Sequence, residues 1–131
     1  MTTPSLALTL LPGRYAVAQL PPGAALPAPS PTGVLRHAGR TDHALSLACH
    51  NQHVPEDVRC QRGWRMFKLQ GPFDFALTGI LKAVPDPLAA ADVGIFAIST
   101  FDTDYVLVQA YQLDAALSAL RGDGHVMREA S

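Results

Sequence analysis

The amino-acid sequence predicts an α+β fold, and three observations carry that expectation. From Trp64 onward the apolar periodicity and the turn residues read strand, helix, strand, strand, helix, strand. Two short apolar runs, Ile95–Ile98 and Tyr105–Val108, flank a tight Phe101-Asp102-Thr103 connection, which predicts an antiparallel hairpin. Leu113, Ala116, Leu117 and Leu120 then recur at helical spacing.

In chain order, the first half reads as short strands separated by turns. Leu6–Leu11, Tyr15–Leu20, Gly33–His37 and Ala44–Cys49 are the candidates, the second alternating Tyr15 and Val17 against Ala16, Ala18 and Leu20. Between the second and third lie five prolines in the eleven residues 21–31. Each proline removes a backbone donor and restricts the residue before it, so a regular helix is excluded there. A loop embedded in a domain is the expectation, ahead of a proline-rich peptide ligand.

The second half opens with a strand at Trp64–Leu69. Gly71-Pro72 turns the chain into a helix beginning near Phe75, with Asp74 as its N-cap. Pro85 interrupts that helix, Asp86-Pro87 restarts it as cap and first position, and Gly94 marks its end, giving a kinked element over about Phe75 to Asp92. Strands at Ile95–Thr100 and Asp104–Val108 follow. A helix reaches Arg121 before Gly122-Asp123-Gly124, and His125–Met127 is a last short strand. Both strands of the hairpin are apolar on both faces, so the second face is expected to be covered by the first half of the chain or by another copy.

Composition bounds the function. The 131 residues fit one compact unit or two small ones, 48% are apolar and 16% charged. Residues 1–60 carry a net charge of +1 and residues 61–131 a net of -2, with no basic face to meet phosphates. A nucleic-acid binder is therefore not expected. The first thirteen residues have no basic residue before their apolar stretch, and no run approaches the ~20 apolar residues that span a bilayer. The expectation is a cytoplasmic protein without membrane association, which two cysteines, Cys49 and Cys60, also fit.

Several constellations bear on chemistry. The turn Leu69 to Asp74 delivers Gly71 and then a helix N-terminus to the sheet edge, where free amides and the helix dipole favour a carboxylate. Thr78 offers a hydroxyl nearby, and Gly79 implies close packing against the helix. The polar end of the hairpin runs Ile98, Ser99, Thr100, Phe101, Asp102, Thr103, Asp104, where Asp and Thr are ordinary turn formers, although Asp104 begins a strand rather than ending a turn. Cys49, His50, His53 and Cys60 lack the paired spacing of a zinc site, so no metal is expected. Ser99, Asp102 and His125 form a triad only on paper, without a strained nucleophile turn or an oxyanion donor. No cofactor is implied.

The segments Gly71 to Leu81 and Ile95 to Val108 together resemble the ACT domain, and with it the short bacterial ACT proteins related to aspartate kinase regulatory domains and to the animal cytosolic arginine sensor. The resemblance implies a ferredoxin-like βαββαβ fold with antiparallel sheets and helices on one face. It implies two repeats, a degenerate one over residues 1–62 and a regular one over 63–131, and an amino-acid ligand at their junction. On that reading Gly71, Asp74 and Phe75 hold the ligand backbone, with Thr78 beside them, while Ile98, Ser99, Thr100 and Asp104 meet its other groups. The arginine-sensing relatives place an acidic residue at the position of Asp104, which suits a guanidinium or ammonium group. The second wall is expected from residues near Val34–His37 or Leu45–Cys49, where no motif matches. The implied role is regulation without catalysis, with a homodimer and a separate regulated protein as partners. Two other readings stand beside it: a structural or interaction module that keeps the fold without a ligand, and a small enzyme using Asp102, Asp104 and His125.

Overall fold

A computed structural model describes residues 5–25, 37–50, 54, 59–69, 83–99 and 104–129. Eight strands and two α-helices occur among them: β1 (Ala7–Leu10), β2 (Tyr15–Leu20), β3 (His37–Arg40), β4 (Leu45–His50), β5 (Arg59–Leu69), α1 (Pro85–Ala90), β6 (Ile95–Ser99), β7 (Asp104–Gln109), α2 (Leu113–Gly122) and β8 (Val126–Glu129). A turn of 3-10 helix, Ala110–Gln112, leads into α2. The chain forms two compact units, residues 1–12 with 65–131, and residues 13–64.

The larger unit keeps the expected order β5-α1-β6-β7-α2-β8, the α+β ferredoxin-like arrangement. Its strands lie in the order β6-β7-β5-β1-β8. β6 and β7 form the expected antiparallel hairpin, from Ile95↔Val108 to Ser99↔Asp104. The N-terminal strand lies between β5 and β8, antiparallel to the first and parallel to the second, so the sheet is mixed where an antiparallel one was expected. Register explains that choice. Leu8 faces Leu69 and Leu10 faces Phe67, so the alternating leucines of β1 bury their whole apolar set on one face.

That face meets both helices. Leu6, Leu8, Leu10, Phe67, Leu69, Val106 and Val108 pack with Leu88 of α1 and with Ala116 and Leu120 of α2 in one core. The apolar spacing read in α2 is thus its buried stripe, and Asp114 in the first turn and Arg121 in the last suit the helix dipole. On the opposite face Met66 and Leu107 are fully buried, as the doubly apolar strands require. None of the described helices is long and apolar enough to cross a membrane.

Two details of α1 differ from expectation. The helix starts at Pro85 itself, with Val84 as N-cap making no side-chain hydrogen bond, and Asp86 lies inside the first turn and does not cap it. Its end is set by Asp92, which adopts φ 59°, a conformation that short polar residues tolerate, two residues before Gly94. The part of the helix expected from Phe75 lies outside the described residues.

The smaller unit is a sheet in the order β3-β4-β2-β5, with β5 contributing the residues up to Trp64. β5 begins five residues before the expected Trp64. Where it meets β2 the register slips between Tyr15↔Trp64 and Val17↔Gln61, and Gly63 at φ 83° takes up the extra residue. Ala16, Ala18, Leu47, Cys49 and Val54 form the core of this unit.

Candidate functional site

Cross-strand pairing puts Ile95, Ala97 and Ser99 of β6 on one face with Val108, Val106 and Asp104 of β7. Ile95, Val106 and Val108 belong to the helix-covered core. At the last rung the apolar pattern gives way to Ser99 and Asp104, and a cavity of about 40 Å³ opens there. Leu69 at the end of β5, Val84 and Pro85 at the start of α1, and Ala97 and Val106 wall it. Its mouth carries Ser99, exposed, and Asp104, half-buried. Asp104 is the one charged residue among the described residues lining the cavity, and its carboxylate favours a cationic group beside it.

Three of the expected site residues line the cavity: Ser99, Asp104 and Ile98, the last 3% exposed. Gly71, Asp74, Phe75, Thr78 and Thr100 lie outside the described residues, as does Asp102. The walls from Leu69, Val84 and Pro85 were not expected from the sequence. The chain runs from Leu69 to Val84 through the segment holding Gly71, Asp74, Phe75 and Thr78, so both ends of that segment border the cavity. A volume of about 40 Å³ is close to that of a single water, so a ligand as large as an amino acid extends beyond it.

His125 is engaged elsewhere. Its Nδ1 accepts the backbone N–H of Leu6 at 3.1 Å, which leaves the proton on Nε2 to be donated to the carbonyl of Ala83 at 2.6 Å. Both nitrogens are taken up by backbone groups, so the histidine is not free to act as base for Ser99 or to pair with Asp104.

The cysteine and histidine run disperses as well. Cys49 lies in the apolar core of the smaller unit, and Cys60 packs against that core from β5. His50, the next residue in β4, points to the other face and sets its ring against Tyr15, with centroids 4.6 Å apart. His53 lies outside the described residues, and among the described ones no three His, Cys, Asp or Glu side chains gather as metal ligands would. Of the residues expected to supply a second wall, Leu47 and Cys49 are committed to this core.

Comparison with known proteins agrees with the fold. The family model of the ACT domain matches residues 59–122. The crystal structure of protein Atu0741 from Agrobacterium tumefaciens is similar over 98% of this chain and 96% of its own, with 39% identity and a TM-score of 0.90. The human cytosolic arginine sensor for mTORC1 subunit 1 is 28% identical over 129 residues, which are 92% of this chain and 39% of the sensor, so the chain spans well under half the length of that relative. The regulatory subunit of aspartate kinase from Thermus thermophilus shares the fold, at a TM-score of 0.55 and 10% identity over 85% of this chain and 93% of its own. Residues 59–122 hold the strand pair, the described cavity walls and Asp104, and they belong to the ACT domain family.

Proposed function

We propose that this ACT protein is a non-catalytic regulatory protein that binds an amino acid at the open end of β6 and β7, with a preference for a cationic side chain. The observation that carries the reading is Asp104 as the one charged group among the described residues lining the cavity, paired across the strands with Ser99. A guanidinium or ammonium group placed there exchanges hydration for a charge-assisted hydrogen bond. The ligand's own carboxylate is assigned to the turn at Gly71, Asp74 and Phe75, with Thr78 beside it, while Ile98, Ser99, Thr100 and Asp104 meet the ligand's other groups. These assignments, and a ligand lying at the junction of two repeats, rest on the family resemblance. The arginine named in the human relative supports the choice of ligand class. Binding acts by favouring one conformation or dimer arrangement, which requires unequal affinity for the two states, and a separate protein receives the signal in the cytoplasm.

Thermal denaturation against a panel of amino acids tests the proposal. A ligand at one hundred times its Kd stabilises the native state by about 2.7 kcal/mol, and L-arginine and L-lysine are expected to lead. The small cavity volume favours a second reading, a fold kept for protein interaction without a ligand. The absence of a shift with every amino acid, together with no heat of binding, selects that second reading.

A further inference from the structure

We infer that His125 is a positioning residue for the candidate site, fixing the start of α1 and with it one wall of the cavity. The inference rests on the proposed reading of that site. Among the described residues His125 is the one buried polar or charged side chain, 4% exposed, and it forms part of neither the apolar core nor the cavity lining. Its two hydrogen bonds join parts of the chain remote in sequence, Leu6 ahead of β1 and Ala83 ahead of α1.

The start of α1 needs such a hold. The helix has six residues, too few to persist by backbone propensity, and its N-cap Val84 makes no side-chain hydrogen bond. Burial of Val84 and Leu88 holds the helix to the core, but apolar contact has no direction and leaves its rotation and slide weakly fixed. A hydrogen bond has direction. The Nε2–H of His125 fixes the carbonyl of Ala83, the residue before Val84 and Pro85, and those two line the cavity together with Ser99 and Asp104. The Leu6 amide fixes the ring itself, by holding Nδ1 as the acceptor. The imidazole thus sets the separation between the apolar wall and the carboxylate.

Two substitutions in the intact chain separate positioning from bulk stability. Glutamine places an amide N–H close to the Nε2 position and retains the donor to Ala83; asparagine places an oxygen close to Nδ1 and retains only the acceptor for Leu6. His125→Asn is expected to speed hydrogen exchange at the Val84 and Leu88 amides and to shift the Ser99 and Asp104 amide resonances, with His125→Gln close to wild type at all four. With L-arginine as the probe, His125→Asn is expected to weaken binding about five- to tenfold, the loss of one hydrogen bond, and His125→Gln to restore it. Equal behaviour of the two variants at Val84 and Ser99, or faster exchange spread evenly over the chain, overturns the inference. If the wild type does not bind L-arginine, the proposed ligand class fails and the exchange measurement alone decides the role of His125.

Discussion

Ser99 and Asp104 are cross-strand partners on the last rung of the β6–β7 hairpin, so a hydroxyl and a carboxylate stand side by side at a cavity whose other described walls are apolar apart from Tyr105. Ser99 is exposed, and its side chain makes no contribution to the core. Ser99→Ala is therefore expected to leave the melting temperature of the free protein within about 2 °C of wild type. In calorimetry it is expected to weaken ligand binding by about 0.5–1.5 kcal/mol, one neutral hydrogen bond. Unchanged affinity removes Ser99 from the site.

Gly13 is held by geometry. Its φ is 88°, and a Cβ built on it would lie 2.6 Å from Cε1 of His50, whose ring packs on Tyr15. Gly13→Ala is expected to destabilise by about 1–3 kcal/mol in urea unfolding, through backbone strain and displacement of the ring. Gly39, with no atom within 4 Å of its Cβ position and no positive φ, provides the control. Gly39→Ala is expected to change stability by less than ~0.5 kcal/mol. Equal effects at the two positions contradict the account.

Leu88 is fully buried and joins α1 to the core of the larger unit. A helix this short depends on tertiary packing, so Leu88→Ala is expected to cost about 2–5 kcal/mol in equilibrium unfolding, from lost burial and the cavity left behind. A loss well below that range means that α1 contributes little to the core.

Arg40 donates from its guanidinium to the carbonyls of Pro22 and Ala24, the second at 2.8 Å, and so ties β3 to the turn that begins the proline-rich stretch. Arg40 and Pro22 are exposed and Ala24 is half-buried, so Arg40→Ala is expected to shift the melting temperature by no more than about 2 °C. It is expected to speed exchange at the Ala24 amide, which closes the turn on Pro21. No change at Ala24 means that the turn holds without the arginine.

The hairpin, α2 and the order of elements were legible because their apolar residues repeat within one segment, where local periodicity suffices. β1 was legible as a strand, but its place between β5 and β8 depends on matching Leu8 with Leu69 and Leu10 with Phe67, pairs some sixty residues apart. Local pattern carries no such information. β3 was expected to end at His37 and extends to Arg40, because Ala38, Gly39 and Arg40 are exposed and present no buried alternation. The turn chemistry around α1 misled for a similar reason: Asp86 and Gly94 are favoured cap residues, yet Val84 and Asp92 take those roles once Val84 and Leu88 are buried. At the site, Ser99 and Asp104 stood out as polar residues ending apolar strands. Leu69, Val84 and Pro85 gave no such signal, since apolar residues become walls only through packing.

Isothermal calorimetry of L-arginine with the wild type and with Asp104→Asn tests the central claim most directly. The exchange removes the charge and keeps the shape, so an unchanged melting temperature of the free variant shows that the fold is intact. The account predicts measurable binding to the wild type and affinity about ten- to one-hundredfold weaker in the variant, the loss of one hydrogen bond to a charged group. Equal affinity in the two proteins, or tighter binding of L-glutamate than of L-arginine to the wild type, would contradict it.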